Sequence, residues 1–288
     1  MLQTIAYAAV LLLLAIGSIT DFKKREVPDW LSYAAIAFGV GLRLIFAISS
    51  WSWAPLIEGA LGFLPILILA LIMYYAGQWG GGDSKILMAV GILIGAQPTL
   101  LVFPVLLVFF INIVMIGSAY GLLYSLVLAA LHSKEFVREF RKHISGWRNL
   151  KYICYALAVV FVIVSFFMRE LLPKLMLIML SAFSVCIFYI WIFIKSLEKA
   201  VMIKRVPVEK LTEGDWIVNE VRIDGKYICG PKDLGIEVEQ IAQLLRLKRK
   251  GKISAVIVKE GIPFVPGFLL AFIATLVLGN WLQMLFMF

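Results

Sequence analysis

The first 131 residues consist of long apolar runs that hold only five acidic side chains, Asp21, Glu26, Asp29, Glu58 and Asp83. Three of these have ordinary explanations. Glu26 falls in a charged loop, and Glu58 is expected near the outer end of a span, within reach of water. Asp29, after Pro28 and before an apolar run, is expected to N-cap the second helix. Asp21 and Asp83 stand apart. Asp21 directly ends the first apolar run, and Asp83 follows Gly80-Gly81-Gly82 at the start of a short fourth one. Two carboxylates that meet across helices can share a proton, one staying ionised as base while the other stays protonated as acid. Such a pair hydrolyses a peptide bond without a covalent intermediate. The ionised partner takes a proton from water, and the protonated partner donates to the substrate carbonyl. The three glycines suit this chemistry, because a backbone without Cβ atoms approaches a neighbouring helix or an extended substrate closely.

No competing chemistry is written as clearly. His132 and His143 both fall in a basic stretch and have no Ser or Cys partner in a recognisable motif. Cys154, Cys186 and Cys229 lie far apart and form neither a CxxC nor a Cys/His metal spacing, so neither a metal site nor a disulfide frame is expected. No Walker A, HExxH or dinucleotide fingerprint is present, and no cofactor is expected.

The elements that must carry these residues are membrane spans. The 288-residue chain is 62% hydrophobic and 16% charged, with a mean hydropathy of +0.96. A soluble domain is nearer half apolar and a quarter charged. This excludes a soluble enzyme, a secreted disulfide scaffold and a disordered chain. A span needs about 20 apolar residues, and the candidates are 2–20, 30–49, 56–76, a short 85–97, 99–131, 152–168, 174–195 and 263–287. The first run is read as a permanent span and not a signal peptide, because Lys23, Lys24 and Arg25 follow it instead of preceding it. With the N-terminus outside, segments 21–29, 77–85, 132–151 and 195–262 are cytoplasmic and hold 24 of the 27 Lys and Arg residues. That topology puts Asp21 and Asp83 at the same, cytoplasmic, face of a plasma membrane. Gly91/Gly95 and Gly117/Gly121, at four-residue spacing, are positions for close helix contact.

Residues 199–262 differ in texture. Trp216-Ile217-Val218, Val221-Arg222-Ile223 and Tyr227-Ile228-Cys229 read as strands around the turn Asp224-Gly225, 237–250 reads as a helix with a basic end, and Ile253 to Val258 reads as a further strand. The expected architecture is therefore an all-α polytopic bundle of about six to eight spans with a small cytoplasmic α+β module. Its parts are a membrane core over 1–131, additional membrane helices with a basic loop over 132–198, the module over 199–262 and a final span over 263–288. The net charge of +9 is assigned to topology and to the lipid surface, not to nucleic acid, since no nucleic-acid fold signature accompanies it.

The segment Asp21-Phe22-Lys23-Lys24-Arg25-Glu26-Val27-Pro28-Asp29 after a first apolar span resembles the first catalytic segment of type IV prepilin peptidases. Gly80-Gly81-Gly82-Asp83-Ser84-Lys85 resembles their GxGD segment. The resemblance covers about residues 1–130 and implies an intramembrane aspartyl endopeptidase with Asp21 and Asp83 as its dyad. It also implies substrates, precursors of flagellin-like or pilin-like proteins whose short basic leader is removed at the cytoplasmic face. The cysteine-pair zinc segment of many bacterial members is absent, so the chain looks more like the archaeal branch, which does not methylate its products. The rival readings are a proton- or cation-coupled transporter using the two boundary carboxylates, which is expected to place charge near the bilayer midplane, and a non-enzymatic assembly factor. Oligomeric state is not legible.

Overall fold

The computed structural model of the chain describes residues 1–96 and 105–279. Helix α1 (Leu2–Lys24) ends where Arg25 turns left-handed, at φ 58°, and returns its N–H to the Asp21 carbonyl. Pro28, extended at φ −60° and ψ 131°, then starts α2 (Asp29–Ser49). A proline there forbids continuation of the first helix and presets the entry to the second. Helix α3 (Ala54–Tyr75) opens on Pro55, and α4 (Gly81–Ile94) follows. Helix α5 (Val105–Asn112) runs through a π turn, Ile113–Gly117, into α6 (Ser118–Leu131).

At 14 residues, α4 is about 21 Å long, short of the ~30 Å hydrocarbon core. It is placed accordingly. Ile86, Ala89 and Val90 are fully buried and Leu87 and Leu93 nearly so, because α1, α2 and α3 surround it. Gly62 of α3 and Gly91 of α4 make that approach possible, since a Cβ on Gly91 would sit 2.9 Å from the Gly62 carbonyl oxygen. The expected close contact at Gly91 is thus present, whereas Gly121 has open space around it. The opposite end of α4 is tied by a buried arginine. Arg43 of α2 donates to the carbonyls of Ile92 (2.6 Å), Leu93 (3.0 Å) and Pro55 (2.7 Å), with Glu58 3.8 Å away. Carbonyls at a helix C-terminus lack intrahelical donors, and the guanidinium supplies them.

Six helices among the described residues are long and apolar enough to cross a membrane, namely 2–24, 29–49, 54–75, 105–131, 148–166 and 171–202. The chain is a polytopic helical bundle with a small α+β region. The candidate run 85–97 is α4, beginning earlier than expected and too short to join that set, and its end at Gln97 lies outside the described residues. The run 263–287 is α11 (Val265–Leu278), described only that far.

Residues 132–151, expected as a basic loop, form a helix instead. Helix α7 (Ser133–Gly146) turns Phe136 towards α9 (Leu171–Leu197), 5.2 Å from the Phe193 ring, while Lys134, Arg138, Arg141 and Lys142 stay exposed. Helix α8 (Arg148–Phe166) pairs with α9 through the Tyr155 and Tyr189 hydroxyls, 2.6 Å apart. Both leave most of their apolar surface uncovered, as lipid-facing helices do.

The α+β region has a three-stranded antiparallel sheet in the order β1–β5–β2, built from β1 (Ile203–Pro207), β2 (Trp216–Ile217) and β5 (Ala255–Lys259). A separate hairpin joins β3 (Val221–Ile223) to β4 (Lys226–Cys229). Its turn, Asp224-Gly225, has φ of 52° and 75°, the doubly positive pattern that matches strand twist. Helix α10 (Val238–Arg249) buries Leu244 against Val208, Ile217, Ile228, Val256 and Val258. The sequence pattern places β2 to β5 and α10 within a residue or two and does not mark β1. From β5 the chain enters α11, whose Phe268, Ala271 and Phe272 are fully buried in the core made by α1, α4 and α5.

Candidate active site

Helix directions alone bring four helix ends together: α1 and α3 finish at the face where α2 and α4 begin. Asp21 occupies the last turn of α1 and is only 6% exposed. One turn earlier, Gly17 lets α1 close on its neighbours, since a Cβ there would meet Ile86 at 2.5 Å and Val265 at 3.2 Å. Asp83 is in the first turn of α4 and half-buried, its Oδ2 accepting the Gly80 N–H at 3.2 Å. A carboxylate in that position complements the positive end of the helix dipole. Asp21 and Asp83 lie within electrostatic range of each other. Gly82 fits against Val27 of the α1–α2 loop, where a Cβ would come within 3.0 Å. The glycine run therefore serves helix and loop contact beside Asp83.

A third element completes the surroundings of Asp21. The Val265 N–H at the start of α11 donates to Asp21 Oδ2 at 3.0 Å, in a buried bond between residues 244 positions apart. Pro266 sits at the first positions of this helix, where its missing N–H is no loss. The two prolines around Val265 mark a helix start in the sequence, but nothing local there points to Asp21. Arg25 also gathers elements around the site, donating to the Tyr124 hydroxyl of α6 at 2.8 Å and to the Gly261 carbonyl at 3.3 Å.

The other expected residues are placed as follows. Asp29 does not cap α2: Pro28 holds the N-cap position without a side-chain bond. The Asp29 carboxylate is turned across to α4 instead, where both oxygens accept Lys85 Nζ at 2.7 Å. With Pro28 at the N-cap, Asp29 stands one position inside the helix, so its carboxylate is left to pair with the ammonium on the facing helix. Glu58 faces Arg43 at the far end of the bundle. His132 and His143 are remote from the two aspartates, on or beside α7, with His143 Nδ1 3.3 Å from the Ser196 hydroxyl. Cys229 is buried in the α+β core, which pushes its thiol up to about 11, so it stays protonated and inert at neutral pH.

The α+β region reaches the same face. Burial pushes the Asp215 carboxyl up from its ordinary value, and the nearby charges of Glu26 in the α1–α2 loop and Glu260 after β5 add to this. The Thr212 N–H, donating to Asp215 at 2.9 Å, acts the other way.

Comparison with known proteins locates the likeness in the same part of the chain. The sequence model of the Type IV leader peptidase family matches residues 8–131. The resemblance to that family is thereby borne out over the segment that contains both Asp21 and Asp83. A preflagellin peptidase of Methanococcus voltae is 37% identical over 90 residues, 31% of this chain and 38% of that protein. A preflagellin peptidase of Methanocaldococcus jannaschii is 33% identical over 81 residues, 28% and 34% of the two chains. A prepilin leader peptidase/N-methyltransferase of Bacillus subtilis is 32% identical over 109 residues, 38% and 40%. The chain thus spans about two fifths or less of the length of the curated relatives it matches. No solved structure matches it.

Proposed function

We propose that this chain is a membrane-embedded aspartyl endopeptidase that removes the short basic leader from preflagellin-like or prepilin-like precursors at the cytoplasmic face of the plasma membrane. The observation that carries the reading is the coincidence of two lines. The leader-peptidase match covers the residues that hold both aspartates, and the fold ends α1 and begins α4 at one face with those carboxylates in electrostatic range.

In this mechanism Asp21 is the base. Its carboxylate accepts the Val265 N–H and has the Arg25 guanidinium within electrostatic range, and a nearby cation favours the ionised form. Asp21 takes a proton from a water molecule as the water oxygen bonds to the scissile carbonyl carbon, and Asp83 gives its proton to the carbonyl oxygen. Collapse of the resulting diol breaks the C–N bond, with a proton passing to the leaving nitrogen. Transport fits less well, since both carboxylates are at helix ends instead of near the middle of a span.

The cytoplasmic orientation rests on the distribution of Lys and Arg, 24 of 27 on the side that carries Asp21 and Asp83. The α+β region, tethered between α9 and α11 and adjoining the α1–α2 loop, is proposed to hold the leader while the aspartates do the chemistry. The test is incubation of membranes containing the protein with a panel of leader-bearing precursors, followed by sequencing of the new N-termini. Cleavage immediately before the apolar helix of a precursor is the expected result. Intact precursors throughout the panel would refute the assignment.

A further inference from the structure

One polar atom near Asp21 has no explanation in the fold. The Tyr120 hydroxyl on α6 is buried and makes no hydrogen bond among the described residues. Leaving a buried donor unpaired is destabilising, and each such group in a folded protein calls for a reason. Two other atoms share this condition, Ser32 Oγ and Glu139 Oε2. Ser32 lies within α2, where a χ1 rotation brings a serine hydroxyl to a carbonyl one turn back. Glu139 is on α7, away from the aspartates. A phenol at the end of a rigid ring has no such local outlet.

The Tyr120 ring is held by its packing. A Cβ on Gly267, in the first turn of α11, would lie 3.3 Å from it, so glycine at that position gives the ring its place. The Tyr124 ring is 6.0 Å away, and the Tyr124 hydroxyl is already engaged by Arg25. Asp21 and Arg25 are both within electrostatic range of the Tyr120 oxygen. A fixed donor therefore stands beside the first turn of the helix that binds Asp21, and what it lacks is an acceptor.

Resting on the leader-peptidase reading above, we infer that Tyr120 is a further catalytic residue, its O–H donating to the carbonyl oxygen of the scissile peptide bond as charge gathers there. Tyr120 keeps its proton throughout. The proton from water goes to Asp21 and the proton on the carbonyl oxygen comes from Asp83, so the phenol acts by charge stabilisation alone. A donor that is unpaired at rest and paired in the transition state lowers the barrier without tightening substrate binding.

The experiment is Tyr120→Phe in the full-length membrane protein, assayed on a leader-bearing precursor beside Asp21→Asn and Asp83→Asn. Phenylalanine preserves the contacts with Gly267 and Tyr124. The expected result is a kcat lower by about 10²-fold with KM little changed, and a thermal midpoint equal to or above that of the parent, because removing an orphaned hydroxyl relieves the fold. A normal kcat overturns the inference. So does a loss confined to KM, or a loss of rate accompanied by a loss of stability, which marks a structural hydroxyl. If either asparagine variant cleaves normally, the dyad reading itself has failed and the inference falls with it. If both are inactive while Tyr120→Phe is normal, the inference alone is wrong.

Discussion

Asp21 and Asp83 differ in what surrounds them, and that difference decides what each substitution should do. Asp21 is buried at the meeting of α1 and α11, while Asp83 sits half-buried in the first turn of α4. Under the proposed mechanism, Asp21→Asn and Asp83→Asn each abolish leader cleavage, since an amide neither takes the proton from water nor shares one with its partner. Both variants should still insert and accumulate, which immunoblotting of membranes checks alongside the cleavage assay. Asp29→Asn should be far milder, because it loses one exposed ion pair with Lys85, worth at most about 1 kcal/mol. The two aspartates were legible in the sequence because each has a local signature, a charged segment after a span or a glycine run before one. The Val265 donor and the Tyr120 hydroxyl were not. Their relation to Asp21 is created by packing between segments about 100 and 244 positions away, and no periodicity or spacing encodes it.

Among the elements, α4 has the most exacting position, a short helix walled in by longer ones. Its burial explains how a run of 14 residues, shorter than the hydrocarbon core is thick, is accommodated inside the bundle. Arg43 fastens its C-terminal end, and the sequence offered only a stray charge inside the second span. Arg43→Met should strip donors from three carbonyls and leave Glu58 without its counter-ion. A loss of about 3 kcal/mol is expected, measured as a lower unfolding midpoint in detergent with the cleavage specificity of the surviving enzyme unchanged. A midpoint equal to the parent's would mean that the clamp is redundant. The misread elements have physical reasons. In 132–151 the dense charge masked Phe136 and Phe140, four apart and on one face of α7, because a helix that caps a bundle end from outside needs only a narrow apolar stripe. Strand β1 escaped notice because it is an edge strand carrying Lys204 and Arg205, the kind of charge that keeps edges from pairing with other chains. It has no turn residues before it to announce it.

At the scale of the whole molecule, hydropathy alone was enough to identify a polytopic bundle, since an apolar run of span length has few other fates. How its pieces come together was a different matter. The orientation proposed from the basic residues has a direct test. A cysteine introduced at Ser145, exposed at the end of α7, should be shielded from impermeant thiol reagents in intact cells, and one at Ser50, exposed at the end of α2, should be labelled. The opposite pattern would put Asp21 and Asp83 on the wrong side for a cytoplasmic leader. The contact between Val265 and Asp21 has a consequence in time. A ribosome delivers α1 and α4 long before α11, so the newborn chain carries both aspartates into the membrane with one of them lacking its partner. Chains stopped just before Val265 should insert yet stay silent towards precursors, and supplying the missing tail as a separate polypeptide should wake them. On the proposed reading, activity would then appear only once α11 has been made, after the chain's neighbours at the translocon have passed by uncut.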